Sequence, residues 1–280
     1  MNVSVVVIGR DAEARLGDAL DSVAAVADEI VYVDTGSADG SLDTARRRGA
    51  TTAEFAWRDD FSAARNFAIG LARLPWILAV DTDEVLLDAA RAAAIVARAT
   101  ADPAYPAYLV LQDNIRPDGS VSPNPVARLF RNDPRIRYRN PVHECVSESV
   151  TAHWPGVGIP ALDVHLRHAG YLPGNAAGKR ARNLALLARW AAAEPGHPFC
   201  RFKLGTALLE EGDAAGALPH LRAAFERFAA DRLERERAPY LRAFAAVYDR
   251  CLRAAGLAEE AERFDRTVEG WAADGCGWLA

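Results

Sequence analysis

Lysine is almost missing from this chain: Lys179 and Lys203 are the two lysines among 33 basic residues, and the rest are arginine. With the excess of alanine, this reflects genome composition more than mechanism. A net charge of −5 argues against the clustered positive surface that duplex nucleic acid requires, so no nucleic-acid partner is expected. Long apolar runs are missing too. Stretches such as Val5 to Ile8 and Trp76 to Val80 fall far short of the ~20 residues that cross a bilayer. The first residues, Met1-Asn2-Val3-Ser4, carry no basic flank leading into a signal core, so the cytoplasm is the expected address. Cysteine is sparse, and Cys145, Cys200, Cys251 and Cys276 form no C-x-x-C pair, which points to reduced, mostly buried thiols. Neither G-x-x-x-x-G-K-[ST] nor G-x-G-x-x-G occurs, which removes the main support for kinase-like and dinucleotide-binding readings. What is present is an apolar half of a 280-residue chain, enough for a larger domain plus a smaller one and too much for disorder.

Up to about Tyr171, short β-type runs alternate with helical stretches. Val3 to Ile8, Glu29 to Val33, Trp76 to Val80 and Ala107 to Gln112 are nearly continuous in apolar character. Helical patterns run from Ala12 to Val26 and from Leu42 to Arg48. This alternation predicts an α/β domain over residues 1–172, with a parallel sheet covered on both faces and ligands beyond the carboxyl ends of its strands. From 173 to 280 the strands stop. Helices are expected over Ala181 to Ala193, Phe199 to Glu210, Ala214 to Phe228, Ala238 to Ala255 and Ala258 to Ala272. Leu204-Gly205, Leu208, Ala217, Leu221 and Ala224 have the small and large residues of a tetratricopeptide repeat at its offsets. A second copy around Leu252, Gly256 and Ala261 is degenerate, and the charged insert from Asp231 to Arg237 stretches it. A plain helical bundle is the alternative.

Three acidic or basic constellations follow these strands. Asp81-Thr82-Asp83-Glu84 comes directly after Trp76 to Val80. Continued strand geometry would put the Asp81 and Asp83 carboxylates on one side, where a hard divalent cation would relieve their repulsion and also take phosphate oxygens. The alternative is a solvated pair capping a helix that begins near Val85. After Val33 comes Asp34-Thr35-Gly36-Ser37-Ala38-Asp39-Gly40-Ser41, an acid at a strand end with a glycine turn. There Asp34 could receive a base or ribose, while Ser37, Asp39 or Ser41 could be an ordinary helix cap. In Trp57 to Asn66, Asp60 or Ser62 is expected to cap a helix carrying Arg65, which could meet a diphosphate or pair with nearby acids. The arginines at 128, 131, 135, 137 and 139 form a basic stretch that could neutralise a diphosphate or hold an acidic acceptor, with a solvated loop accounting for most of it; Arg131 is the one singled out as a donor-binding candidate.

Taken in order, Val33 to Asp39, Asp59 to Asn66 and Trp76 to Glu84 closely resemble family-2 glycosyltransferases of the GT-A fold. The likeness is strongest to the bacterial branch that carries tetratricopeptide repeats after the catalytic domain and includes peptide S-glycosyltransferases. Arg128 to Asn132, Val142-His143-Glu144 and His168-Ala169-Gly170-Tyr171 also look like that branch. The resemblance covers essentially the whole chain. It implies a Rossmann-like GT-A domain followed by an all-α tetratricopeptide-like domain. It further implies that Asp34, with Thr35, Gly36, Ser37 and Asp39, contacts the nucleoside, most simply uridine, and that Arg65 lies near the nucleotide. Asp81 and Asp83 would serve the sugar-nucleotide and a Mn2+ or Mg2+ ion, with His168 a further metal or diphosphate ligand. Relatives usually show Lys-Asn-Glu where this chain has Arg10-Asp11-Ala12, with Glu13 one place later, which puts contacts to the nucleobase edge in question. Thr82 replaces their usual alanine.

Inverting transfer needs a group that takes the acceptor's proton. Glu144 is the candidate, with His143 positioning it or touching the diphosphate; a structural pairing of Glu144 with the arginines at 135, 137 or 139 is the competing expectation. His153 and His165 are expected to be structural. The overall expectation is a metal-dependent inverting glycosyltransferase that moves a hexosyl or N-acetylhexosaminyl group from a nucleoside-diphosphate sugar, a UDP-sugar by preference, to a peptide, saccharide or other nucleophilic acceptor. The helices would present a groove to the acceptor or mediate homo-oligomerisation. The alternatives are a catalytically degenerate interaction module and, ranked below it, a nucleotidyltransferase.

Overall fold

In the computed structural model, Val3–Gly9 forms β1, and every residue of it except the last is buried. Its alternate residues serve two cores. Val3, Val5 and Val7 pack with Leu16, Leu20 and Val23, while Val6 and Ile8 pack with Ala64, Ala68 and Ile69. A near-continuous apolar run is what a strand covered on both faces requires. The structure describes residues 2–102, 104–116, 118–169, 176–236 and 238–276. It falls into two compact units, Met1–Ala177 and Gly178–Ala280.

The first unit holds a sheet in the order β3-β2-β1-β4-β7-β6-β8-β5. Its strands are β2 (Glu29–Asp34), β3 (Thr51–Glu54), β4 (Trp76–Asp81), β5 (Glu84–Leu86), β6 (Ala107–Ile115), β7 (Val121–Arg131) and β8 (Ala161–His168). Helices α1 (Glu13–Val23), α2 (Ser41–Arg47), α3 (Phe61–Leu71), α4 (Ala89–Ala101) and α5 (Ser147–His153) complete it. Strands β3, β2, β1 and β4 are parallel, as expected. Register pairs Gly9 with Asp34 and Ile8 with Asp81, so both aspartates flank the carboxyl end of β1.

Beyond β4 the all-parallel expectation fails. β6 and β7 form a hairpin, so β7 runs antiparallel to both β4 and β6. The turn closes where Arg116 N–H donates to Ser120 C=O and Gly119 takes φ +81°. The first half of β7 is exposed and contains Pro123 and Pro125, which hides it as a strand in the sequence. The helix expected near Val85 is also corrected. Glu84 to Leu86 pair instead with β8, Glu84 opposite His168, and α4 starts at Ala89.

The second unit is helical: α6 (Ala176–Ala193), α7 (Pro198–Glu210), α8 (Ala214–Ala230), α9 (Arg232–Glu236), α10 (Leu241–Ala254) and α11 (Ala258–Ala273). A Cβ added at Gly205 would lie 2.5 Å from Leu221 Cγ and 3.3 Å from the Ala217 carbonyl oxygen. α7 and α8 therefore approach closely at that position, as the repeat pattern predicts. Ala217, Leu221 and Ala224 are fully buried, as are Leu252 and Ala261 of the second, degenerate pair. The insert before α10 carries the short α9; Arg237 at its end lies outside the described residues. No helix among the described residues is long and apolar enough to cross a membrane. The four cysteines are free thiols, and burial pushes Cys145 up to about 11 and Cys200 up to about 12.

Candidate active site

Two loops meet at the carboxyl ends of β1 and β2. Asp34 is 2% exposed and organises its own turn. Its Oδ1 accepts from the N–H groups of Gly36 (2.8 Å) and Ser37 (2.7 Å), and its Oδ2 accepts from the hydroxyls of Ser37 (2.5 Å) and Tyr32 (3.2 Å). Gly36 takes φ +104°, a conformation that favours glycine. Thr35 fastens the turn to β1 by donating from its hydroxyl to Gly9 C=O (3.0 Å). The neighbouring loop is laced on reciprocally. Asp11 N–H donates to Ser37 Oγ (2.9 Å), Ala38 N–H to Asp11 Oδ1 (2.7 Å), Glu13 N–H to Asp39 Oδ2 (3.0 Å) and Gly40 N–H to Glu13 Oε2 (3.0 Å). The residue at the N-cap of α2 is Gly40, which has no side chain to cap with, so none of Ser37, Asp39 and Ser41 fills the cap position. Asp39 Oδ1 instead accepts from Ser41 N–H at 3.0 Å. Asp11 therefore has a structural task, holding the two loops together.

At the end of β4 the strand stops at Asp81, so strand alternation does not carry through to Asp83. The expectation that both carboxylates share one strand face is corrected accordingly. Asp81 Oδ1 accepts from Arg65 Nη2 (2.5 Å) and its Oδ2 from Arg128 Nη2 (2.7 Å). Asp83 Oδ1 lies 3.6 Å from His168 Nε2. The turn between them is fixed by Glu84, fully buried, whose Oε2 accepts the Asp81 N–H at 2.8 Å. Gln112 Nε2 donates to the other Glu84 oxygen, and Arg128 Nη2 is 3.5 Å from it.

Arg65 is the hub. It lies in the second turn of α3, whose N-cap Asp60 accepts from Ala63 N–H at 2.9 Å, as expected. Its Nε donates to Glu144 Oε1 at 2.6 Å, and its guanidinium sits 5.2 Å from the centre of the Tyr138 ring. Asn140 and His143 both adopt left-handed backbone, φ +75° and +56°, in the segment that brings Glu144 to this arginine. Glu144 thus pairs with Arg65 and not with the arginines at 135, 137 or 139. Arg135 pairs with Asp133, and Arg137 donates to the carbonyls of Asp133 and Ile136.

The electrostatics follow from this geometry. Burial opposes ionisation of Asp81, but the Arg128 and Arg65 guanidiniums outweigh it and hold its carboxyl well below the usual range. Burial, with the Asp81 charge added, pushes Glu84 up. Burial works against charge on His168 as well, yet the Asp83 carboxylate raises it overall.

Arg131 does not join the site. It pairs in register with Trp76 at the start of β4, roughly 16 Å along the strand from Asp81. Its guanidinium stacks 5.3 Å from the Trp76 ring, and its Nε donates to Tyr105 C=O at 3.3 Å. Arg128, three residues earlier on the same strand, is the arginine that reaches the end of β4, where it donates to Asp81 Oδ2. A lone arginine within Val126-Ala127-Arg128-Leu129-Phe130 was the available signal, because a charge in an apolar strand needs a buried counter-charge. His153 accepts no such role: its Nδ1 meets Ser149 C=O at 2.9 Å. His165 bridges Asp113 and Asp163 beside a separate cleft of about 150 Å3 lined by Leu87, Asp88 and Arg91. Of the motif His168 to Tyr171, Gly170 and Tyr171 lie outside the described residues.

No cluster of three or more His, Cys, Asp or Glu side chains suited to a metal occurs among the described residues. Asp83 and His168 nevertheless make a carboxylate and imidazole pair, donor types that a divalent cation would accept.

The sequence model of glycosyl transferase family 2 matches residues 4–146. A TPR repeat-containing protein of Synechococcus elongatus is 36% identical over 226 residues, 77% of this chain and 54% of that relative. The chain thus spans about half the length of that relative. An uncharacterized glycosyltransferase of Rickettsia typhi is 31% identical over 84 residues, 30% of this chain and 28% of its own. Among solved structures, a mannosyltransferase from Pyrobaculum calidifontis, in complex with GDP-Man and Mn2+, shares the fold. It covers 93% of this chain and 86% of its own at a TM-score of 0.51 and 18% identity. The acid-ended parallel strands, the sheet and the sequence match agree: this chain belongs to glycosyl transferase family 2, with a GT-A domain followed by tetratricopeptide-like helices.

Proposed function

We propose that the chain transfers a sugar from a nucleoside-diphosphate donor to a nucleophilic acceptor with inversion at the anomeric carbon. The observation that carries this reading is the joining of two acids through one buried arginine. Arg65 holds Asp81 at the end of β4 through Nη2 and Glu144 through Nε, while Asp83, two residues beyond Asp81, faces His168.

In this reading, the turn built by Asp34 receives the nucleoside. The two arginines fix Asp81 against the donor, so that its orientation is set before the substrate arrives. Asp83 and His168 would hold Mn2+ or Mg2+, which supplies charge neutralisation to the departing diphosphate. Glu144 takes the acceptor's proton as the acceptor attacks from the face opposite that leaving group. The helical unit would present a surface to the acceptor, a peptide or a saccharide, or mediate self-association. A UDP-sugar remains the preferred donor, on the resemblance of the Asp34 segment. The departure at Arg10-Asp11-Ala12 does not favour a degenerate module, because Asp11 knits the two loops together and the acids of the centre are all present.

Calorimetry with UDP, with and without Mn2+, tests this directly: metal-dependent binding is expected, and its absence would return the chain to a scaffold. A screen of UDP-, GDP- and dTDP-sugars for hydrolysis, with Asp83→Ala as control, then identifies the donor without knowledge of the acceptor. A product of retained configuration would refute inversion.

A further inference from the structure

Asn114 sits on β6, paired in register with Ser122 of β7 on one side and His168 of β8 on the other. Its amide is oriented by its surroundings. Nδ2 donates to the carbonyls of Ser122 (3.3 Å) and Gln112 (3.4 Å). The reverse orientation would set the amide oxygen against those two carbonyl oxygens, acceptor against acceptor. The oxygen therefore faces β8, where it lies 2.7 Å from His168 Nδ1. An amide oxygen can only accept, so the proton of that hydrogen bond belongs to Nδ1. In the neutral ring the lone pair then resides on Nε2, the nitrogen that faces Asp83 Oδ1 at 3.6 Å.

We infer that Asn114 is a positioning residue that fixes the His168 tautomer and ring orientation, so that Nε2 is the nitrogen offered to a divalent cation beside Asp83. This rests on the reading of Asp83 and His168 as a cation pair. The arrangement follows the general logic of metal sites, in which a ligating histidine donates its second N–H to an acceptor that sets its geometry and strengthens it as a ligand. Here the acceptor comes from an interior strand of the sheet, paired on both sides, so the imidazole is oriented in the folded protein before any cation binds. The same strand supplies Gln112, which donates to Glu84 and so supports the turn that carries Asp83.

The test has two readouts. In the metal-free full chain, 15N spectra of the ring of His168 at a pH where it is neutral should show the proton on Nδ1; a proton on Nε2 overturns the inference. Mn2+ affinity, followed by the electron paramagnetic resonance signal of the free ion, should fall 10- to 100-fold in Asn114→Leu, which has no acceptor. Asn114→Asp keeps an acceptor and should keep most of the affinity. Thermal unfolding of each variant separates a loss of fold from a loss of ligand geometry. If Asn114→Leu does not fold, the ring spectrum of the unsubstituted protein decides the matter. An unsubstituted protein that binds Mn2+ while Asn114→Leu binds it equally overturns the inference alone. An unsubstituted protein that binds no Mn2+ overturns the cation reading, and the inference with it.

Discussion

Arg65 Nε lies 2.6 Å from Glu144 Oε1, tying helix α3 to a residue 79 positions later in the chain. The same guanidinium reaches Asp81 through Nη2, so one side chain sets the separation between the donor-side acid and the proposed base. Glu144→Gln keeps the volume and one hydrogen-bond acceptor for Arg65 but removes the capacity to take a proton. The expected outcome is a fall in kcat of about 100- to 10,000-fold, with nucleotide binding by calorimetry changed little. Full turnover in this variant would move the base elsewhere.

Asp81→Asn is expected to act on stability as well as on turnover. The substitution removes the anion shared by two buried arginines, leaving Arg65 with Glu144 and Arg128 with the more distant Glu84. Breaking a buried pair from one side costs about 3–5 kcal/mol. The remaining carboxylates place this case at the low end of that span. Denaturant unfolding of the variant measures it, and an unmoved midpoint would show that the arginines do not depend on Asp81.

The helical unit offers a separate check. A methyl group at Gly205 would press on Leu221 at 2.5 Å, so Gly205→Ala is expected to lose about 1–3 kcal/mol through overpacking. At an unconstrained helical position the same change would stabilise the helix. A raised melting temperature would mean that α7 and α8 are not as close as described.

His165 gives a pH signature away from the site. Its two nitrogens each face a carboxylate at 2.9 Å, Asp113 and Asp163, and Arg91 also pairs with Asp163. Burial favours the neutral ring, but the two carboxylates outweigh it and raise the histidine above its ordinary value. The stabilisation is therefore fully present below about pH 6.5 and is lost as pH rises through the higher folded value. His165→Gln should cost up to about 1 kcal/mol at pH 5.5, a ceiling set by solvent screening, and close to nothing at pH 9. A loss equal at both pH values would sink this account.

The parts that were legible in the sequence share a physical cause. Apolar runs that end abruptly in an acid marked both the strands and their carboxyl ends, so Asp34 and Asp81 were placed correctly from Val33 and Val80 alone. The small residue at 205 announced the close helix pair because only size, not register, was at issue. What escaped depended on pairing between distant strands. Glu84 reads like a helix start, and nothing local says that it meets His168 across a ladder. Arg128 and Arg131 are equally basic and differ only in their position along β7, which the reversal of the hairpin sets. The Asp81 and Asp83 carboxylates were expected to act together because the strand was expected to continue, whereas the Glu84 hydrogen bond closes a turn there.

A guanidinium cannot surrender its proton within any range in which a protein stays folded. The link through Arg65 is for that reason a constant charge, indifferent to acidity. Coupling between Asp81 and Glu144 through this side chain therefore rests on where the guanidinium sits and on its fixed charge, and not on a proton handed from one acid to the other.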